Sequence, residues 1–489
     1  MHVLFDARLL HRPLSGLERV QKNLLRELAL APQIERLSVL VQRGTKLPAD
    51  FPARAHPVEV QTSEDILTLL LADPKDGRPD VYHMTFFPDR SPKDLWLPIA
   101  AHASVVEVHD AILNRHPEYH HDARSYSGYD AFVRRLVRCC DRLLVHSKSV
   151  VDEVVKDLGG DRRITDVAPL AVDPALRDPM PAVEAAKRRA RLGVPERYFV
   201  VLGKDYPHKD HPTLLRAFAR VAGAQLVCAG SKGWHKGGVS TDELCKELGI
   251  GDRARWLQGL SDEDVKALLQ GALALVYPSR EEGFGLPPIE AMGLGTPVLA
   301  AASMAIPEVC GDGAWLFPTG DAAALEALMR KVLHGGPEVA ALVERGRARA
   351  RSYSWQRCAE QTVLCYQHAL AATKHKQRSR PVLDKGTRAV LRTICSSPFH
   401  DGVAMQEWIV RATHYEQHAR AVEENRDDVL RQLNEMKRAA GIPVDPTPPP
   451  SAPPPPAPHL HGAHAPKRPR WSLKRRIGKI KAAIQKRTK

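Results

Sequence analysis

Apolar runs recur along the chain, and nearly every one ends in a polar or glycine-bearing turn. HVLFDARLL, SVLVQR, DVYHMTFF, SVVEVHD and DRLLVHSKSV fall before about residue 175. YFVVLG, AQLVCAG, RARWLQGL, LALVYPS and a short TPV run follow between about 197 and 300. Each is short and bounded by turn residues, which reads as a buried strand. Between them lie segments of helical period: VQKNLLRELAL, the shorter ILTLLLAD, and SDEDVKALLQGA, whose Ser261 and Asp264 have capping-box spacing. This alternation predicts an α/β fold of two Rossmann-like units. In such folds ligands bind at the carboxyl ends of strands, against helix N-termini. The polar residues just after each apolar run are therefore the first candidates for chemistry.

A chain of 489 residues holds two ordinary domains and extensions. The proline-bearing segment DPMPAVEAAKRRARLGVPE separates a first domain, 1–175, from a second, 176–350. Further on, in 403–440, Trp408, Ala412, Tyr415, Ala419, Val422, Val429, Leu433 and Met436 follow a coiled-coil-like spacing broken at Arg426. Such a stripe suits self-association, a protein partner, or packing on the body of the chain itself. Residues 443–466 form a proline-rich, disordered linker. Residues 467–489 carry eleven Lys or Arg and no acid, and as a helix would align Leu473, Ile477, Ile480 and Ile484.

The tail changes the meaning of the net charge. The whole chain carries +14, but without those eleven cations the rest carries about +3. No basic groove is implied across the body, which argues against nucleic acid as a partner; the tail suits an anionic membrane surface, its other readings being nucleic-acid binding and plain solubility. The eight cysteines form no CxxC pair and read as buried thiols in a reducing compartment. The chain opens directly on a strand-like run, and no apolar run reaches membrane-spanning length. A cytoplasmic protein, or one peripheral on the inner face of the cell membrane, is expected.

The richest stretch is Tyr277–Val298, YPSREEGFGLPPIEAMGLGTPV. A strand leads into Glu281 and Glu282, then a glycine loop, then a helix opening near Pro288 with Glu290 in its first turn, then another strand. EGFGLPPIEAMGLGTPV resembles the signature of the family 4 glycosyltransferases, retaining enzymes of the GT-B fold, and in particular bacterial mannosyltransferase-like group 1 enzymes. Their paired glutamates have seven residues between them, as do Glu282 and Glu290. The resemblance covers about 1–372. SGLER resembles the family's SGIGRY loop, with Glu18 replacing the second glycine. VAPLAVDP resembles the strand entering the second domain, with Leu170-Ala171 for Asn-Gly. GKDYPHKD resembles the basic diphosphate loop, and SMAIPEVCGDGAWLFPTGD continues the signature. SYSWQRCAEQTVLCYQHAL resembles the terminal helix, which implies a crossover helix over 351–373.

The resemblance implies two Rossmann-like domains facing a cleft, with a helical and disordered C-terminal extension. It implies a nucleotide-diphosphate sugar donor (GDP-mannose or a UDP-hexose), a growing polysaccharide or lipid-linked oligosaccharide as acceptor, and no metal or cofactor. Glu290 would take the ribose hydroxyls and Glu282 would face the donor sugar. Lys209 and, less closely matched, Lys204 would hold the diphosphate. Gly283, Phe284, Gly285 and Leu286 would present backbone N–H groups, and Gly16 would lie near the phosphates. His109 would meet the sugar from the first domain, with Asp110 orienting it or touching acceptor. The catalytic set is thus Glu282, His109 and Lys209. His83 is a weaker acceptor-side candidate, and Glu308 either faces the cleft or caps a turn.

Each residue also has a plainer reading. Gly16 suits a simple turn, the His109–Asp110 pair a turn cap, the basic loop a solvated surface, and Glu290 a favourable acid at a helix start. Two other functions compete. A phosphorylase-like GT-B enzyme would need a pyridoxal-phosphate lysine or a water-activating base, and no motif supplies either. A non-catalytic scaffold acting through its coiled coil and basic tail is opposed by the retention of Lys209, Glu282 and Glu290.

Overall fold

The computed structural model describes residues 1–376 apart from 12–15, 71, 73–76, 86–93, 95–96, 99–100 and 233–239. The coiled-coil-like stripe, the proline-rich linker, the basic tail and Cys395 lie outside the described residues. Among the described residues thirteen strands form two sheets, and every neighbouring pair is parallel. The first sheet contains β1 (His2–Asp6), β2 (Arg36–Gln42), β3 (Ala55–Val60), β4 (Val81–Met84), β5 (Ala103–Glu107), β6 (Arg142–Val145) and β7 (Thr165–Val167), ordered β3-β2-β1-β4-β5-β6-β7. The second contains β8 (Tyr198–Leu202), β9 (Gln225–Ala229), β10 (Ala254–Leu257), β11 (Ala274–Tyr277), β12 (Val298–Ala301) and β13 (Trp315–Phe317), ordered β10-β9-β8-β11-β12-β13.

The apolar runs are continuous because most of these strands are buried on both faces. Along β8, Phe199 and Val201 enter a core with Leu214 and Phe218. Tyr198 and Val200 point the other way, into a core that also takes Phe5 and Val105 of the first domain. A fully buried large apolar side chain contributes about 1.5–3 kcal/mol, and the core on this side of β8 runs on into the first domain. All seven described cysteines are free thiols, and six of them are buried.

Strand order reverses direction beside β1 and β4 in one sheet and beside β8 and β11 in the other. Such switch points open crevices at the carboxyl ends of the strands. The loops after β5, β8 and β11, which carry the candidate residues, therefore meet between the domains. The chain returns at Trp355, whose indole N–H donates to the Val172 carbonyl at 3.1 Å. The helix Trp355–Lys376 then packs on β5, β6 and the helix Gly16–Leu28 of the first domain.

Candidate active site

The basic loop after β8 is held taut. Asp210 takes a left-handed backbone, φ 49°, which is uncommon for a non-glycine residue. Its carboxylate accepts from the Thr213 hydroxyl at 2.8 Å and pairs with Arg280 Nε at 2.9 Å. The Arg280 amide also donates to the His208 carbonyl at 2.7 Å. Loops after β8 and β11 are thereby stitched together, and Lys209 is delivered to Glu282, Nζ to Oε1 at 2.6 Å. Burial pushes the Glu282 carboxyl up, but Lys209, Tyr277 and Ser279 offset this and hold it below the usual range. Lys209 also lies over the Tyr277 ring, 5.5 Å from its centre. Lys204 points outward and is exposed; among the described residues it makes no ion pair.

After Glu282 the backbone runs directly beneath the first domain. A Cβ on Gly283 would lie 1.8 Å from the His109 carbonyl oxygen, so only glycine fits. The Gly283 carbonyl accepts from the Ser147 hydroxyl at 2.7 Å. Phe284 is buried edge-on against Tyr353, an architectural role for its side chain. Gly285, at φ 90°, starts the helix Leu286–Leu294 without a side-chain cap. Pro287 and Pro288 have no N–H, so the donors left at this end belong to Gly283–Leu286 and then Ile289.

That helix begins earlier than its sequence implied. Glu290 is in the second turn, not the first, so helix-dipole compensation does not account for it. It is buried and faces Arg19 of the first domain, Nη1 to Oε1 at 3.4 Å. Arg19 also bonds Asp262, the first residue of the helix Asp262–Gly271. Burial raises the Glu290 carboxyl to about 7, since Arg19 only partly offsets burial and the nearby Asp173 and Asp262 charges.

From the first domain, His109 Nε2 lies 3.2 Å from the Thr85 carbonyl and 3.4 Å from Glu107 Oε1. Burial lowers its pKa to about 4, so the ring is neutral at ordinary pH. Asp110 accepts from the Ile112 amide at 2.9 Å, and burial raises its carboxyl. Gly16 is the first residue of its helix, not a residue ahead of it. His83 is fully buried against the Tyr366 hydroxyl at 2.7 Å and belongs to the core. Glu308 does cap a helix, though across the cleft: its carboxylate accepts from the Lys148 amide at 2.9 Å, at the start of Lys148–Lys156.

The structure thus brings Lys209, Glu282, Gly283 and His109 together, with Glu290 beside Arg19. It also adds residues that sequence reasoning passed over. Arg115 Nη2 and His116 Nε2 both reach Glu281, at 2.7 and 2.8 Å, and the Tyr119 hydroxyl accepts from the His208 amide at 2.9 Å. Arg19 sat within the SGLER loop, and Arg115–Tyr119 followed His109 by a few residues. No spacing rule marked either group as crossing to the other domain.

Two facing parallel α/β domains joined by a return helix define the GT-B class, and solved structures share this architecture. One is Anabaena HepE in complex with UDP and glucose: TM-score 0.59, 18% identity, covering 75% of this chain and 99% of that one. Another is WaaG, a glycosyltransferase involved in lipopolysaccharide biosynthesis: TM-score 0.54, 17% identity, covering 74% and 98%. At these identities they show the fold. Residues 183–349 match the family described as glycosyl transferases group 1, so the second domain is a group 1 glycosyl transferase domain.

Two curated relatives are similar. An MMP alpha-(1->4)-mannosyltransferase of Mycolicibacterium hassiacum is 34% identical over 51% of this chain and 59% of its own length. The O-antigen chain mannosyltransferase B of Escherichia coli is 25% identical over 75% of this chain and 99% of its own. The chain spans under two thirds of the first relative's length, and nearly all of the second's.

Proposed function

We propose that this protein is a retaining glycosyltransferase of family 4, which moves a hexose from a nucleotide diphosphate to a glycan acceptor. The observation that carries this is the Lys209–Glu282 pair set against His109 across the cleft, with Glu290 buried nearby. The donor base and ribose lie on the second domain. Glu290 accepts the vicinal ribose hydroxyls once Arg19 gives way. Lys209 turns from Glu282 to the diphosphate, where negative charge grows as the bond from the sugar C1 to the phosphate oxygen breaks. Glu282 is ionised and faces the cationic character developing on the sugar. The acceptor hydroxyl attacks C1 from the leaving-group side, and its proton passes to the departing phosphate oxygen.

The names of both relatives favour mannose as the sugar, and therefore GDP-mannose ahead of a UDP-hexose. A growing polysaccharide or lipid-linked oligosaccharide is the acceptor, and the basic segment 467–489 brings the enzyme to anionic lipid. A panel of GDP- and UDP-sugars scored by thermal unfolding tests the donor. GDP-mannose should raise the transition most; no response to any sugar nucleotide would overturn the assignment. Flotation with anionic liposomes tests the tail, and equal recovery with and without 467–489 would remove the membrane role.

A further inference from the structure

Just beyond His109 the first domain reaches across the cleft to both donor loops. The helix Ile112–Arg115 and the turn Pro117–Tyr119 carry the contacts. Arg115 Nε and Nη2 both donate to Glu281 Oε2, at 3.0 and 2.7 Å, and His116 Nε2 lies 2.8 Å from Glu281 Oε1. Both oxygens of one second-domain carboxylate are thus held from the first domain. Arg115 is braced from behind, since its Nη1 reaches Asp157 at 2.7 Å and Glu153 at 3.1 Å.

Tyr119 holds the other loop. Its hydroxyl accepts from the His208 amide at 2.9 Å and lies 3.0 Å from His208 Nδ1. A hydroxyl both donates and accepts, so one group meets the amide and the ring together. Between the two holds sits His116, stacked on the Tyr119 ring with centres 4.7 Å apart. Its Nδ1 lies 2.7 Å from Glu118 Oε1, so both ring nitrogens face carboxylates. Carboxylates only accept, and the ring therefore carries both protons. Burial lowers the His116 pKa, but Glu118 and Glu281 more than offset this and hold it above its ordinary value. Burial pushes Glu281 up, and His116 and Arg115 hold it below the usual carboxylate range.

The two gripped residues are the immediate neighbours of the candidate chemistry. Glu281 precedes Glu282, and His208 precedes Lys209. The contacts close into a ring. Arg115 and His116 hold Glu281, the chain leads to Glu282, and Glu282 meets Lys209 at 2.6 Å. The chain then leads to His208, and Tyr119 returns to His116. The ties from Arg280 to Asp210 and to the His208 carbonyl lie within the second domain, so they fix the loops to each other and not to His109. Ser147 of the first domain holds Gly283, on one side of Glu282. Arg115 and His116 hold the other side.

We propose that Arg115, His116 and Tyr119 are positioning residues: they grip the residues before Glu282 and Lys209 and so set that pair in register with His109 for transfer. This rests on the roles given to Glu282, Lys209 and His109 above. A shift of about 1 Å at reacting groups costs up to about 100-fold in rate.

The three side chains are partly exposed, which suits them to substitution in the full chain. In Arg115→Gln and in Tyr119→Phe the turnover number should fall about 10- to 100-fold with donor KM within about threefold, and Arg115→Lys should recover part of the loss. Wild-type turnover should also fall as pH rises past the raised His116 pKa, because a neutral ring has one proton for two carboxylates. The other titratable groups facing His116 are Glu118, Glu281, His208 and Tyr119, and burial raises Tyr119 to about 12, so it keeps its proton through this range. His116→Gln should lose that alkaline limb. Hydrogen exchange reads the grip without substrate: Arg115→Gln should speed exchange over residues 280–284, and Tyr119→Phe over 206–210, each at least about tenfold. Unchanged exchange in both second-domain loops would overturn the proposal, and so would a loss carried wholly by donor KM. A wild-type protein that transfers no sugar refutes the transferase assignment and leaves the exchange to judge the grip.

Discussion

Replacing Glu290 with Gln should stabilise the ligand-free protein at alkaline pH and weaken its grip on the donor. Folding carries the Glu290 carboxyl from 4.5 to about 7, because burial outweighs Arg19. At 1.36 kcal/mol per pH unit this is worth about 3 kcal/mol. A raised carboxyl favours the folded state while protonated in it. That contribution is whole below about pH 4.5 and is lost as pH rises to about 7. Gln keeps the shape, carries no charge, and leaves Arg19 its bond to Asp262. Thermal unfolding without nucleotide, at about pH 5 and about pH 8, should therefore show the variant gaining on the wild type. The gain should be about 3 kcal/mol, or roughly 6–12 °C for a domain of this size. The same variant should respond less to GDP-mannose, since Gln is a weaker acceptor for two vicinal hydroxyls. A stability difference that stays constant across this pH range would refute the reasoning.

Two further outcomes test the cleft. Lys209→Met should lower single-turnover transfer about 100- to 1000-fold, since it removes the fixed cation beside the breaking bond; a loss under tenfold would remove Lys209 from the chemistry. Gly283→Ala should lower the transition temperature and cut turnover at least about tenfold, because its Cβ would collide with the His109 carbonyl at 1.8 Å. Unchanged kinetics in that variant would mean that the contact between the domains is dispensable.

The strands and the second-domain loops were legible because buried parallel strands read as continuous apolar runs, and because the EGFGLPPIEAMGLGTPV stretch keeps many residues in order. Glu282 was picked out from that stretch and Lys209 from the loop GKDYPHKD, and the structure pairs them at 2.6 Å. Glu290 was placed one turn too early, since two consecutive prolines suggested a helix start near Pro288 and the left-handed Gly285 begins it sooner. Arg19, Arg115 and His116 were not legible as site residues. Their partners lie more than 160 residues away in sequence, and no local pattern encodes a contact made by docking one domain on another. Glu107 was hidden for a related reason: inside an apolar strand a lone acid reads as an interruption, and only the fold sets it beside His83 of β4 and His146 after β6.

The return helix decides which half of the molecule holds the rest of the chain. Helix Trp355–Lys376 leaves the second domain at Trp355 and lies along the first, tied by Tyr366 to His83 and by His368 to Asp166. Everything beyond residue 376 is therefore leashed to the first domain. If the basic segment holds lipid, the first domain is the half moored at the surface, and the second is the half held away from it.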